Sequence, residues 1–89
     1  MPTVRLIIKG NVQGVFFRAA AREMAEKTEI TGWVRNTSEG DVEIMATGTE
    51  RQLDLFIDWC HHGPPKATVS EVIADHEEER SFDKFRVVR

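Results

Sequence analysis

The residues best suited to chemistry lie in the stretch GNVQGVFFR, from Gly10 to Arg18. Two glycines bracket a polar turn, and an arginine follows two phenylalanines. Between a strand and a helix, the N–H groups of such a loop and of the first helical turn lack internal partners, and they favour an anion. The planar guanidinium of Arg18 can bind two oxygens of a phosphate. The stretch therefore predicts a phosphate site; the alternative is a tight turn with Arg18 paired to a surface carboxylate.

A second candidate is Asn36, in the stretch GWVRNTSEGDV. The predicted strand ends at this residue, so its amide can face a ligand at the end of a sheet. Asparagine also favours turns for reasons of backbone conformation alone. For Asn36 taken by itself this plainer interpretation stays open. A functional role for Asn36 is indicated only when the two stretches are considered together.

Length and composition limit the classes of protein in which these residues can act. The chain has 89 residues, of which 40% are hydrophobic and 30% charged, and this predicts one globular domain over residues 1–89. The net charge of -3 gives no general attraction to nucleic acid or to an anionic membrane, so an anion site must be local. The single cysteine cannot form an internal disulfide, and the N-terminal apolar run is too short for a signal peptide or a membrane span. Both features predict a cytoplasmic protein.

Hydrophobic periodicity predicts a strand, a helix and a hairpin in the first half of the chain. Residues 4–10 alternate as a strand, and residues 16–30 repeat their apolar positions at helical spacing. Residues 33–47 are typical of a hairpin, because strand-like segments flank a turn at 37–40. The positions expected to face the core are Val4, Leu6, Ile8, Phe17, Ala20, Ala21, Met24, Val42, Ile44 and Ala46.

The second half of the chain predicts another helix and two more strands. Thr49 and Gln52 have the spacing of a capping box at the start of a helix. Its expected core positions are Leu53, Phe56, Ile57 and Cys60. Strands are predicted over residues 67–77 and 82–88. The element order indicates an α+β fold, the ferredoxin-like α/β sandwich, in which two helices cover one face of an antiparallel sheet and a final strand is added.

Together, the two polar stretches resemble the signature motifs of acylphosphatases. The first contains the family's Gly-x-Val-Gln-Gly-Val-x-Phe-Arg core, and the second contains Gly-Trp-Val-x-Asn followed by Gly, Val and Gly. The matching positions are Gly10, Val12, Gln13, Gly14, Val15, Phe17 and Arg18, then Gly32, Trp33, Val34, Asn36, Gly40, Val42 and Gly48. Length and element order agree as well, so the resemblance covers essentially the whole chain. One departure is Asn11, where relatives often carry a basic residue, which implies a slightly weaker attraction for phosphate.

The resemblance implies hydrolysis of acyl phosphates to a carboxylate and inorganic phosphate, by a monomer without a metal or other cofactor. It also implies that Arg18 binds the phosphoryl group beside the loop N–H groups and that Asn36 orients the attacking water. The implied phosphate-binding residues are Asn11, Val12, Gln13, Gly14, Val15, Phe16, Phe17 and Arg18. A carboxylate, whose acid has a pKa of about 4, departs without a general acid, and phosphoryl transfer requires mainly positioning and charge stabilisation.

Three neighbouring residues, Cys60, His61 and His62, suggest a metal site, with His76 as a fourth ligand. Consecutive side chains on a helix point about 100° apart and cannot converge on one ion. We therefore expect Cys60 in the core and the two histidines at the negative end of the helix dipole, with no metal bound.

Two other functions remain open at this point. The first is a non-catalytic module of the same fold that binds RNA or a small anion; an RNA-recognition strand would carry stacking aromatic residues, and DVEIMATG carries none. The second is an acylphosphatase-like accessory domain of a larger maturation enzyme. Met1 and the complete set of predicted strands weakly favour a protein that stands alone.

Overall fold

The computed structural model describes residues 1–89 as two helices packed on one face of a five-stranded sheet. The strands are β1 (Thr3–Asn11), β2 (Thr31–Asn36), β3 (Val42–Thr47), β4 (Thr68–Glu77) and β5 (Phe85–Val87). The helices are α1 (Phe17–Lys27) and α2 (Glu50–Cys60). Neither helix is long and apolar enough to cross a membrane. The architecture confirms the predicted α+β, ferredoxin-like fold.

The carboxyl ends of β1 and β2 lie at the same end of the sheet. Its strand order is β4-β1-β3-β2-β5. Both β1 and β2 pair antiparallel with β3, so β1 and β2 run in the same direction. Their carboxyl ends, where Asn11 and Asn36 lie, therefore meet at one end of the sheet.

The last strand differs from the predicted antiparallel sheet, because β5 runs parallel to β2 and makes the sheet mixed. After β4 the chain crosses the end of the sheet past Thr3 and Thr47. The Thr3 hydroxyl accepts a hydrogen bond from the N–H of Arg80, and the Thr47 hydroxyl donates one to the carbonyl oxygen of Arg80, each at 2.9 Å. From this end of the sheet the chain turns back and adds β5 at the edge opposite to β4. β5 therefore runs in the same direction as β1 and β2, which explains its parallel pairing with β2.

The core lies between the sheet and the helices and contains most of the predicted positions. From the helices, the buried side chains are Phe17, Ala21, Ala25, Leu53, Phe56 and Cys60. Ala25 was not among the predicted positions. Three predicted positions, Ala20, Met24 and Ile57, are only partly buried. The predicted capping box is confirmed, since the Thr49 hydroxyl accepts from the N–H of Gln52 while the Gln52 side chain accepts from the N–H of Thr49.

Helix α1 ends at Lys27 rather than at the predicted Ile30, because a C-terminal cap closes it. Glu29 has a left-handed backbone with φ 60°. The N–H of Glu29 donates to the carbonyl oxygen of Glu26 at 3.3 Å, and the N–H of Ile30 donates to that of Ala25 at 2.8 Å. This pair of bonds is a Schellman motif, which a glycine usually marks. Here a glutamate occupies that position, so no glycine signals the end of the helix.

Glu43 is buried on the sheet face that no helix covers, where the alternation of β3 predicted exposure. Its side chain is 6% exposed, and its two carboxylate oxygens accept hydrogen bonds from Arg5 at 2.5 Å and from Arg35 at 2.7 Å. Burial alone raises the pKa of this carboxyl, but the hydrogen bonds and charges of the two guanidinium groups outweigh that effect. The pKa of Glu43 therefore lies below its ordinary value.

Because the folded-state pKa is lowered, Glu43 stabilises the fold above the unfolded pKa of about 4.3, and this stabilisation is lost as the pH falls through the folded-state value. We expect Glu43→Gln to lower the free energy of unfolding at pH 7 by about 1–2 kcal/mol, since both arginines are partly exposed and solvent screens the pairs. Thermal melts from pH 7 to pH 2 measure the difference, which should shrink toward acid. Glu78→Gln, at an exposed position, is the control. A difference for Glu43→Gln that stays constant with pH would contradict this account.

The two glycines of the first stretch, Gly10 near the end of β1 and Gly14 in the loop after it, differ in what a side chain would meet. Gly10 has φ 127° beside a register shift in the β1–β4 pair, and a Cβ there would collide with the carbonyl oxygen of Thr68. Gly14 has φ 74°, but a Cβ there would have nothing within 4 Å.

We expect Gly14→Ala to lower the free energy of unfolding by about 1–2 kcal/mol, from backbone strain alone. Gly10→Ala should cost roughly 3 kcal/mol or more, because backbone atoms must move as well. Denaturant unfolding of both variants tests the difference, and equal costs would contradict it.

Candidate active site

The loop between β1 and α1 is fixed by apolar side chains that point into the core. Val12 and Phe17 are 1% and 2% exposed, and Val15 packs partly buried against the same core. The ring of Trp59 lies 5.4 Å from the ring of Phe17, measured between centroids. The residue directly before Arg18 is therefore held from α2, and the loop backbone keeps its shape.

The backbone N–H groups from Gln13 to Ala19 donate no hydrogen bond within the protein. Helix α1 begins after Phe16, which has a left-handed φ of 66°, and no side chain caps its N-terminus. No acidic residue lies in its first turn. In α2, by contrast, Thr49 closes the helix start and Glu50 lies in the first turn. Free donors at the positive end of a helix dipole favour an anion.

The two candidate residues, Arg18 and Asn36, line one open cleft of about 850 Å³. Arg18 forms no ion pair, and its only hydrogen bond is a long one of 3.4 Å to the carbonyl oxygen of Val88. The alternative of an arginine paired with a surface carboxylate is therefore not found. Asn36 is the last residue of β2, and the side-chain hydrogen bonds at this end of the sheet leave its amide free.

The other predicted loop residues occupy different positions around this cleft. Those that line it are Val12, Gly14, Phe16 and Phe17. Asn11 lies outside it, because β1 continues to this residue, which pairs with Thr68. The side chain of Gln13 points toward the β2–β3 turn, where its Nε2 donates to the carbonyl oxygens of Thr37 and Asp41 at 2.8 Å each. The backbone N–H of Gln13 remains available to an anion.

Part of the cleft wall was missed from the sequence. The additional lining residues are Ala19, Arg22, Glu23, Glu26, Val87 and Arg89. Arg22 follows Arg18 by one helical turn, so the i, i+4 spacing could have identified it, and it pairs with Glu26 at 3.4 Å. Val87 reaches the cleft only through the parallel pairing of β5 with β2, which no local pattern predicts.

The residues considered for a metal site lie apart from this cleft. Cys60 is fully buried in the core, as predicted, and burial raises the pKa of its thiol. His61 and His62 are exposed at the end of α2. No group of three or more His, Cys, Asp or Glu side chains is arranged to hold a metal ion.

Known proteins are similar to this chain in both sequence and fold. The sequence profile of the acylphosphatase family matches residues 4–87. A curated acylphosphatase from Haloquadratum walsbyi is 42% identical over 84 residues, which cover 94% of this chain and 90% of the relative. The crystal structure of acylphosphatase from Bacillus subtilis has a TM-score of 0.96 at 33% identity and covers 100% of both chains. An acylphosphatase structure from Coxiella burnetii has a TM-score of 0.94 at 39% identity, over 98% of this chain and 92% of that one. The family profile matches nearly the whole chain, and the relatives are similar over almost all of their own length. The chain therefore belongs to the acylphosphatase family.

Proposed function

We propose that this protein hydrolyses acyl phosphates at the cleft, where the loop from Gly10 to Gly14 and Arg18 bind the phosphoryl group and Asn36 orients the attacking water. Membership of the acylphosphatase family supports the activity, whose products are a carboxylate and inorganic phosphate. The residue roles rest on one observation: free N–H groups run from Gln13 to Ala19 beside an arginine that has no ion pair.

The loop and Arg18 offer the donors that a phosphoryl group requires. A guanidinium carries five N–H donors in a planar fork, and the long contact to Val88 leaves most of them for the phosphate oxygens. The start of α1 adds the partial positive charge of the helix dipole. These groups are already oriented before the substrate arrives, so they stabilise the charge on the transferred phosphoryl oxygens without reorganisation.

Asn36 has the chemistry to hold a water molecule. Its amide offers both a carbonyl oxygen and two N–H donors, so it can accept a hydrogen bond from water and fix the direction of a lone pair. β1 and β2 are separated by β3, so their backbones lie about 10 Å apart, which leaves room for a phosphoryl group and a water between the loop and Asn36.

The remaining steps need no further side chain. The water oxygen forms a bond to phosphorus while the bond between phosphorus and the acyl oxygen breaks, and the electron pair stays on that oxygen. The carboxylate leaves unprotonated because its acid has a pKa of about 4. The proton of the water passes to the phosphate of the substrate itself.

We further propose that residues 1–89 act as one domain, as a cytoplasmic monomer without a cofactor and without a nucleic-acid or membrane partner. A single core cluster joins both helices to the sheet, and the net charge is -3. The one cysteine is buried, which suits a reducing compartment. A sheet that stacks RNA bases requires exposed aromatic side chains, and β3 carries no aromatic residue on either face.

Benzoyl phosphate tests the activity directly. We expect the purified protein to release inorganic phosphate from it in the presence of EDTA, at a rate that added Mg²⁺ does not change. Phenyl phosphate should be turned over far more slowly, because phenol has a pKa of about 10 and phenolate is a much poorer leaving group than a carboxylate. Arg18→Ala from the same purification controls for a contaminating phosphatase. Activity that disappears with EDTA and returns with a divalent ion would overturn the metal-independent mechanism.

Arg18 and Asn36 should differ in what their loss removes. Arg18→Ala should weaken competitive inhibition by phosphate roughly 10- to 100-fold and lower kcat as well, because a charge-assisted bond is lost in both the bound and the transition states. Arg18→Lys should recover little, since an ammonium cannot reproduce the planar fork. Asn36→Ala should lower kcat by on the order of 10²–10³ with little change in phosphate affinity.

The measurements are kcat, the phosphate inhibition constant and a thermal melt for each variant. Arg51→Ala, at an exposed position on α2, removes an arginine away from the cleft and should change none of them. A folded Asn36→Ala protein with normal kcat would refute the role of Asn36. Phosphate inhibition that Arg18→Ala leaves unchanged would refute the role of Arg18.

A further inference from the structure

Gln13 joins the phosphate loop to the turn that follows Asn36, and we propose that it is a positioning residue that fixes Asn36 relative to the loop. The inference rests on the proposed function, in which Asn36 orients the water. The Nε2 atom of Gln13 donates to the carbonyl oxygens of Thr37 and Asp41 at 2.8 Å each. Both amide hydrogens are used, so these two acceptors fix the orientation of the side chain.

The two acceptors are the two ends of the turn between β2 and β3. The N–H of Thr37 donates to the carbonyl oxygen of Asp41 at 2.9 Å, and the N–H of Asp41 donates to the hydroxyl of Thr37 at 3.1 Å. These bonds close the turn into one unit, whose tip at residues 38–40 is exposed. Asn36 directly precedes this unit and pairs with Val42, which directly follows it. The position of the turn therefore determines how Asn36 is held at the end of β2.

The loop itself has anchors that do not involve the side chain of Gln13. These anchors are Val12, Val15 and Phe17. The turn after Asn36 has no buried apolar anchor. Side chains from the end of β1 and from the loop after it hold the turn at two points. One is the Gln13 amide, and the other is the ion pair between Lys9 and Asp41 at 2.9 Å. The Lys9 side chain is 41% exposed, so solvent screens that pair. The Gln13 amide thus supplies the directional link.

Loss of this link should move the group that orients the water and leave the phosphate site intact. A displacement of about 1 Å in a positioned group can cost on the order of 100-fold in rate. Gln13→Met keeps the length of the side chain but has no donor. We expect it to lower kcat about 10- to 100-fold while the phosphate inhibition constant changes less than about threefold. Gln13→Leu, which also lacks the donors and adds no charge beside the phosphate loop, is the second variant and should behave alike if Gln13→Met fails to fold.

A double-mutant cycle with Asn36→Ala separates positioning from a merely structural role. If Gln13 acts through Asn36, then Gln13→Met should change kcat less than about twofold in the Asn36→Ala protein, although it lowers kcat in the parent. Falls in kcat that multiply independently would overturn the proposal. A phosphate inhibition constant that weakens in proportion to kcat would also overturn it, because Gln13 would then act on the loop.

Gln52→Met is the matched control. Gln52 also bonds the backbone through its amide, accepting from the N–H of Thr49 at 2.9 Å, but it lies at the start of α2. Its loss should lower the melting temperature and leave kcat unchanged; a fall in kcat equal to that of Gln13→Met would trace both effects to general loosening and refute the link. A large effect of Asn36→Ala with none from Gln13→Met refutes only the positioning role. Normal kcat in Asn36→Ala refutes the proposed role of Asn36, and the inference for Gln13 with it.

Discussion

The unpaired N–H groups at the start of α1 are the constraint on which the rest of the site depends. A helix without an N-cap forgoes about 1 kcal/mol of stabilisation, and the left-handed backbone of Phe16 adds strain of the same order. α2 shows that this chain can cap a helix with Thr49 and Gln52. The open end of α1 persists because buried side chains on both sides of it, Val12 and Phe17, hold the backbone in place. The donors that a cap would occupy are those that an anion can use.

The two faces of the sheet stabilise the site in different ways. The helix-bearing face buries apolar side chains, whereas the other face carries Glu43 between Arg5 and Arg35. These three residues lie on β3, β1 and β2, which are the strands that span the distance between the loop and Asn36. A slip of one residue in either pairing would turn every side chain of a strand to the opposite face. The ion pairs therefore help to fix the register that aligns the loop after β1 with Asn36.

Local sequence patterns predicted those parts of the molecule that local interactions determine. The capping box at Thr49 and the apolar stripe of α2 were right, because both depend on residues within a few positions of one another. Prediction failed where a neighbour comes from a distant strand. Glu43 alternates as an exposed residue would, yet Arg5 and Arg35 cover it from either side. In the same way, motifs predict roles for Arg18 and Asn36, but only the folded chain shows that Gln13 reaches the turn beyond Asn36 and that Val87 lines the cleft.

The strand order has a consequence for how the site comes into being as the chain folds. β1 lies between β3 and β4, and β2 lies between β3 and β5, so most pairings join segments that are far apart in sequence. Folds dominated by such non-local pairings form more slowly than helical bundles, because the chain loses the entropy of closing long loops before the stabilising contacts form. An intermediate that has formed α1 and the β2–β3 hairpin possesses both Arg18 and Asn36, but it has no cleft until β1 inserts beside β3. Under the proposed function, hydrolysis during refolding therefore reports the completed sheet rather than early helix formation.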